Sequence, residues 1–312
     1  MEEDKLGFVT FYHPGAEHRP DSKNAIGWNA GKHKRKFLRQ RGHYIDSATD
    51  EKVHEDTLYF WGEWEPESRV VRISKPVPNG PHYIYSPYYV PRTSYLAVQN
   101  TDPYVFGTHF LYTCCQQFKK KGLTYKPQPV RYLSKGSVII FGSHKAGNFI
   151  LDTVFVVGGY TDHNFSDYRI KLRNKVTTTY MDVSLKPLYE RGDEACQGSK
   201  TKSVDICRQG YSFRLYYGSN YEEKNRLNGM FSFTPCLVGP AGESGFRRPV
   251  VDINHSSVIS ASQKQGIKVK ELKSLDEAKN LWLEIVDNVL TQGCKLGIYL
   301  EEPSALVQGY SD

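Results

Sequence analysis

The chain has 312 residues, a net charge of +7 and 39% hydrophobic residues, which suits one large domain or two ordinary ones with a sizeable core. Mean hydropathy is −0.56, and no run approaches the ~18–20 apolar residues of a membrane span. The sequence pI of about 8.9 leans toward polyanionic partners but falls short of a dedicated DNA-coating protein.

The opening Met1-Glu-Glu-Asp-Lys-Leu-Gly7 lacks the basic and apolar regions of a secretion signal, so a cytoplasmic location is expected. None of the six cysteines has Cys-x-x-Cys spacing. Reduced thiols are expected, with no structural metal and no cofactor. The 22 Tyr, 15 Phe and 4 Trp favour strands and also suit stacking surfaces.

In chain order, Gly7–Tyr12 reads as a first strand. It runs into a loop carrying His13 and His18 with Glu17 and Arg19. Spacing of i, i+5 does not place two imidazoles on one metal as i, i+4 on a helix would. The loop reads either as plain polar surface or as a binder of phosphate, carboxylate or base. From Lys32 to Arg41 there are six Lys or Arg and no acid. Lys34, Arg35 and Lys36 are the candidates for backbone phosphate contacts, with Trp28 beside them as a stacking platform or a core residue. The competing reading is a solvated basic face. Leu58–Trp61 reads as a strand leading into Gly62-Glu-Trp-Glu65. Extended geometry would put Trp61 and Glu63 on one face and Trp64 on the other. An aromatic beside a carboxylate can receive a base, and Glu63 or Glu65 could act as general acid or base. Val70–Ile73 is another strand. Five prolines between Lys75 and Pro91 exclude a helix and a central strand, leaving a long loop packed by its own tyrosines.

Asn100-Thr-Asp-Pro103 is turn chemistry, and Asp102 and Phe106 are expected to face Trp61, Glu63 and Trp64 across one pocket. Lys119–Lys121 form a second, smaller basic patch. Val138–Phe141 and Phe149–Val157, joined by a Gly-bearing loop, predict a hairpin. Asp152 interrupts the second run, and a carboxylate there is costly unless paired; it reads either as an exposed edge or bulge position or as a residue that touches or supports a ligand. Leu133–Phe141 with the following strand resembles the core hairpin of PUA-like barrels, the group containing the ASCH and EVE domains. The pattern Asp102-Pro, Phe106-Gly, Cys115-Gln-Gln, Gly136-Ser, Phe141 resembles nucleotide-modification-associated proteins of bacteria and phages. That resemblance implies nucleic-acid or modified-base handling in a bacterial DNA-modification or phage-defence setting.

Gly192–Lys202 is the best candidate boundary, giving a β-rich nucleic-acid or nucleotide-binding region (1–192) and an α+β region (193–312), or one single domain. Tyr211–Tyr217 alternates as a half-buried strand, and Gly229–Cys236 reads as another. Gly239–Gly245 is Gly-rich without the closing Lys-Ser/Thr of a P-loop. Arg247 and Arg248 after it could clamp phosphate or carboxylate. Ser274-Leu-Asp-Glu277 is a capping box opening a helix that Gly293 closes, followed by a strand over Leu296–Leu300.

The expected fold is therefore α+β: β-rich, with a PUA-like mixed barrel near the middle and a C-terminal helix packed on the sheet. The expected function is nucleic-acid, modified-base or nucleotide binding. The alternative is an enzyme acting on nucleotides or nucleic-acid bases through His13, His18, Glu63, Glu65 and Asp102. Against it, no nucleophile elbow, P-loop, Rossmann or zinc-deaminase motif is present.

Overall fold

Runs of β-branched and aromatic residues dominate the chain, and they form sixteen strands in the computed structural model, which describes residues 3–20, 35–49, 51–73, 80–92, 99–190, 202–251 and 265–306. The strands are β1 (Gly7–Tyr12), β2 (Lys36–Ile45), β3 (His54–Gly62), β4 (Ser68–Ile73), β5 (Tyr83–Tyr89) and β6 (Leu111–Tyr112). Then come β7 (Phe118–Lys121), β8 (Thr124–Pro127), β9 (Val138–Lys145), β10 (Asn148–His163) and β11 (Phe213–Gly218). The last are β12 (Thr234–Val238), β13 (Val250–Val251), β14 (Gly266–Glu271), β15 (Lys295–Leu300) and β16 (Ser304–Ala305).

One sheet has the order β14-β1-β9-β10-β11-β6, with β13 also on β10. The other has the order β15-β12-β3-β2-β5-β16, with β4 on β5. Pairing of β15 with β2 as well as β12 closes β2, β3, β12 and β15 into a small antiparallel barrel. The fold is thus α+β and β-rich, as the sequence implies. The barrel lies elsewhere than expected: its strands come from both ends of the chain, while the hairpin β9–β10 forms the centre of the other sheet. Strands from before and after residue 192 interleave in both sheets, since β14 pairs β1 while β12 and β15 pair β3 and β2. Gly192–Thr201, which holds the candidate boundary, lies outside the described residues.

The hairpin turns at Ala146-Gly147, both in the left-handed region at φ 50° and 86°. Gly142 is required because a Cβ there would stand 2.1 Å from the Ile150 carbonyl oxygen. Strand β10 joins the two sheets, because Val154 exchanges backbone hydrogen bonds of 2.9 Å with Phe233, next to β12. The helix Leu275–Thr291 buries Ala278, Leu281, Trp282, Ile285, Val286 and Val289 on the sheet. Ser274 Oγ caps the Glu277 N–H at 3.2 Å, while Glu277 reaches back to the Lys273 N–H at 2.8 Å. No described helix is long and apolar enough to cross a membrane.

The proline-rich stretch corrects the sequence reading. Tyr83–Tyr89 is a strand with neighbours on both sides, antiparallel to β4 and parallel to β2. It tolerates Pro87 because β2 pairs only with Ile84 and Tyr85, so the missing N–H falls beyond that ladder.

Candidate functional site

Strand ends bring the candidate residues together. His13 continues β1, its N–H donating to the Gly142 carbonyl at 2.7 Å. Arg35 immediately precedes β2 and Glu63 immediately follows β3, where the antiparallel register ends at Lys36 opposite Gly62. Asp152 is the bulged residue of β10, between Leu151 opposite Gly142 and Thr153 opposite Phe141. A bulge re-aims a side chain, and here it turns a carboxylate inward to 4% exposure.

These groups form a buried ionic chain. Arg35, 2% exposed, donates from Nη1 to Glu63 Oε2 at 2.7 Å and sets Nε 3.0 Å from Asp152 Oδ2. Its Nη2 meets His13 Nδ1, and that ring nitrogen lies 3.4 Å from Glu63 Oε2. Burial opposes the Arg35 cation, but Glu63 and Asp152 outweigh it and hold its pKa above the usual arginine value. Arg248 closes the other end. It contacts Asp152 at 3.3 Å, Ser143 Oγ at 3.2 Å and the Gly15 carbonyl at 2.8 Å, and its guanidinium sits 5.0 Å over the Trp61 ring. Burial lowers the Arg248 pKa, with Asp152 acting against it.

This arrangement corrects the basic-run reading for two of its three cations. Arg35 is committed to buried carboxylates. Lys36 is fully buried, donating to the Pro66 carbonyl at 3.0 Å, 5.8 Å from the Tyr85 ring centroid. Burial takes its pKa down to about 7, with Glu65 opposing. Neither can meet a phosphate from solvent. Trp28 and Lys34 lie outside the described residues.

Two cavities flank the ionic chain. The larger, about 840 Å³, is lined by Trp61, His82, His144, Lys145, Arg247 and Arg248, with Glu17 the one acid in its wall among the described residues. Arg247 and Lys145 are exposed there. The smaller, about 330 Å³, is lined by His13 and Glu63 together with Asn100, Cys114, Cys115 and Gln116. Trp61 and Glu63 therefore face different cavities. β3 ends at Gly62, so strict alternation ends with it.

The other candidates are interior. Trp64 is fully buried, its Nε1 donating to the Glu67 carbonyl at 2.7 Å, and it packs edge-on against Phe106 at 5.2 Å. Buried His18 donates its N–H to the Arg35 carbonyl at 2.8 Å, and its ring lies 6.0 Å from that of Tyr85. Glu65 is fully buried, its N–H donating to Thr101 Oγ1 at 3.1 Å. Asp102, in a cis peptide with Pro103, donates its N–H to Glu63 Oε1 at 3.1 Å. Its carboxylate accepts the N–H groups of Thr113, Cys114 and Cys115 at 2.9, 2.8 and 2.8 Å. Burial pushes the Asp102 pKa up, and those three donors work against the rise.

Ser143 and the two adjacent cysteines are site residues that sequence reasoning did not assign. Asp152, a carboxylate inside an apolar run, was the signal, and its bulge position is as one of its two sequence readings has it. No family model, curated protein or solved structure matches the chain.

Proposed function

We propose that the chain binds a nucleotide or a nucleic-acid segment through phosphate groups seated in the larger cavity. The observation that carries this reading is the charge of its wall: Lys145 and Arg247 are exposed there beside Arg248, which is shared with Asp152, while Glu17, the one acid among the described lining residues, is paired with His82 at 2.6 Å. Its volume falls within the ~300–1,000 Å³ of ordinary ligand sites. His144 Nε2 is buried there without a hydrogen-bond partner among the described residues, as a donor or acceptor awaiting a ligand would be. The relation to PUA-like barrels, and with it modified-base handling, belongs to the same proposal; a closed barrel supports it in part, while the hairpin that carries the resemblance lies in the other sheet.

Mononucleotides and short single- and double-stranded oligonucleotides test the reading at two salt concentrations. Lys145→Ala and Arg247→Ala are the variants, because neither belongs to the buried ionic chain. Each should weaken oligonucleotide binding about tenfold and lower the salt slope by about one. Absence of binding at low salt, or binding unaffected by either variant, refutes the proposal. A second reading, an enzyme acting on a nucleotide, draws on His13 and Glu63 lining the smaller cavity, where an imidazole and a carboxylate could exchange a proton with a bound molecule.

A further inference from the structure

Asp102, Cys114 and Cys115 form a donor set that the nucleotide reading leaves unused. One sulfur from each cysteine and one carboxylate oxygen all lie within 4.8 Å of one another. We propose that this set binds one thiophilic divalent cation of the zinc class.

The geometry fits the coordination chemistry. The two Sγ atoms are 3.8 Å apart. A tetrahedral cation with metal–sulfur bonds of about 2.3 Å requires a sulfur–sulfur edge of about 3.8 Å. The chain has thus brought adjacent cysteines to the separation a single ion demands. The carboxylate is fixed by the three backbone N–H groups of Thr113, Cys114 and Cys115. Those occupy three of its roughly four lone-pair positions and leave one for a metal. Asn100 Nδ2 donates to Cys114 Sγ at 2.8 Å, the kind of outer contact that steadies a thiolate ligand. The loop is held from behind as well, because the Tyr112 hydroxyl donates to the Cys115 carbonyl and the Gln117 N–H to the Cys114 carbonyl.

The Cys115 pKa is held well above an ordinary thiol's, first by its contact with Cys114 and then by burial. Binding replaces the two S–H protons by the metal and releases them to solvent. Three protein ligands leave a fourth position, and both cysteines line the cavity that His13 and Glu63 also line. That is the pattern of catalytic zinc sites, which keep one position open, rather than of closed structural ones. Spacing rules miss it because the ligands are neighbours in sequence plus an aspartate from a preceding turn, with no Cys-x-x-Cys.

The test uses the full chain, freed of metal by a chelator under reducing conditions, and titrated with Zn²⁺ and Co²⁺. The expected results are uptake of one equivalent, a thiolate-to-cobalt absorption band in the near ultraviolet, and protection of two thiols from a thiol reagent by Zn²⁺. Cys115→Ser should weaken binding at least about tenfold and diminish the band, while Cys207→Ser leaves both unchanged. Thiol protection in the unsubstituted chain needs no variant to fold. No stoichiometric uptake, no thiol protection, or uptake unchanged in Cys115→Ser overturns the proposal.

Discussion

Replacing Arg35 by methionine tests whether the basic run is an interior strut or a surface. The substitution keeps much of the stem volume but removes the cation between Glu63 and Asp152. Removing one partner of a buried pair costs about 3–5 kcal/mol, because the other charge is left stranded. The lower end applies here. Glu63 keeps the Asp102 N–H at 3.1 Å and His13 at 3.4 Å, and Asp152 keeps Arg248 at 3.3 Å. A loss of about 3 kcal/mol should move the urea midpoint by about 1 M, taking the upper m of about 3 kcal/mol/M, with m itself unchanged. Buried pairs are screened little, so the loss should be the same at low and high salt. An exposed arginine in an ion pair would cost about 0–1 kcal/mol and lose that in salt. A loss below about 0.5 kcal/mol, or one that disappears in salt, would refute the buried chain and return Arg35 to the solvent face.

Lys36 makes stability depend on pH. The unfolded amine keeps its proton up to about 10.5, whereas burial releases it near 7 in the fold. Between those values the unfolded chain binds more protons, so stability climbs as pH rises from about 7 toward about 10, by up to about 5 kcal/mol. Urea unfolding of the native chain and of Lys36→Met across that window checks it; an equal slope in both would remove Lys36 as the cause. Gly142→Ala should destabilise by about 1–3 kcal/mol, since the new methyl group meets the Ile150 carbonyl at 2.1 Å. Thermal melting reads this directly, and an unchanged midpoint would mean that the hairpin register differs.

Local signals wrote the parts of the fold that sequence reading found. Ser274, Glu277 and the helical spacing of Ala278, Leu281, Trp282 and Ile285 needed no distant partner to be read. The same holds for the apolar strands either side of Ala146-Gly147. The barrel was misplaced because it depends on β2 finding β15, a pairing no local pattern announces. Arg35 and Lys36 looked like surface because their carboxylates come from distant sequence, Glu63 and Glu65 just after β3 and Asp152 on β10. Glu63 and Asp102 are expected in one pocket and do touch, through the Asp102 backbone N–H rather than carboxylate to carboxylate. Trp61 and Trp64 were separated onto opposite faces by alternation, and the fold keeps them apart in different core clusters.

The closed barrel also sets a timetable for synthesis. Ile45 lies opposite Leu296, and Gly7 lies opposite Glu271. A ribosome adding about 5–20 residues per second needs roughly 10–50 s to make the intervening ~250 residues. Throughout that interval the Gly42–Ile45 end of β2 has an unpaired edge, and β1 waits slightly longer for β14. Such edges are templates for pairing with other chains. The nascent protein therefore depends on being shielded until Leu300 has emerged, and production at high expression rates should be limited by aggregation of unfinished chains.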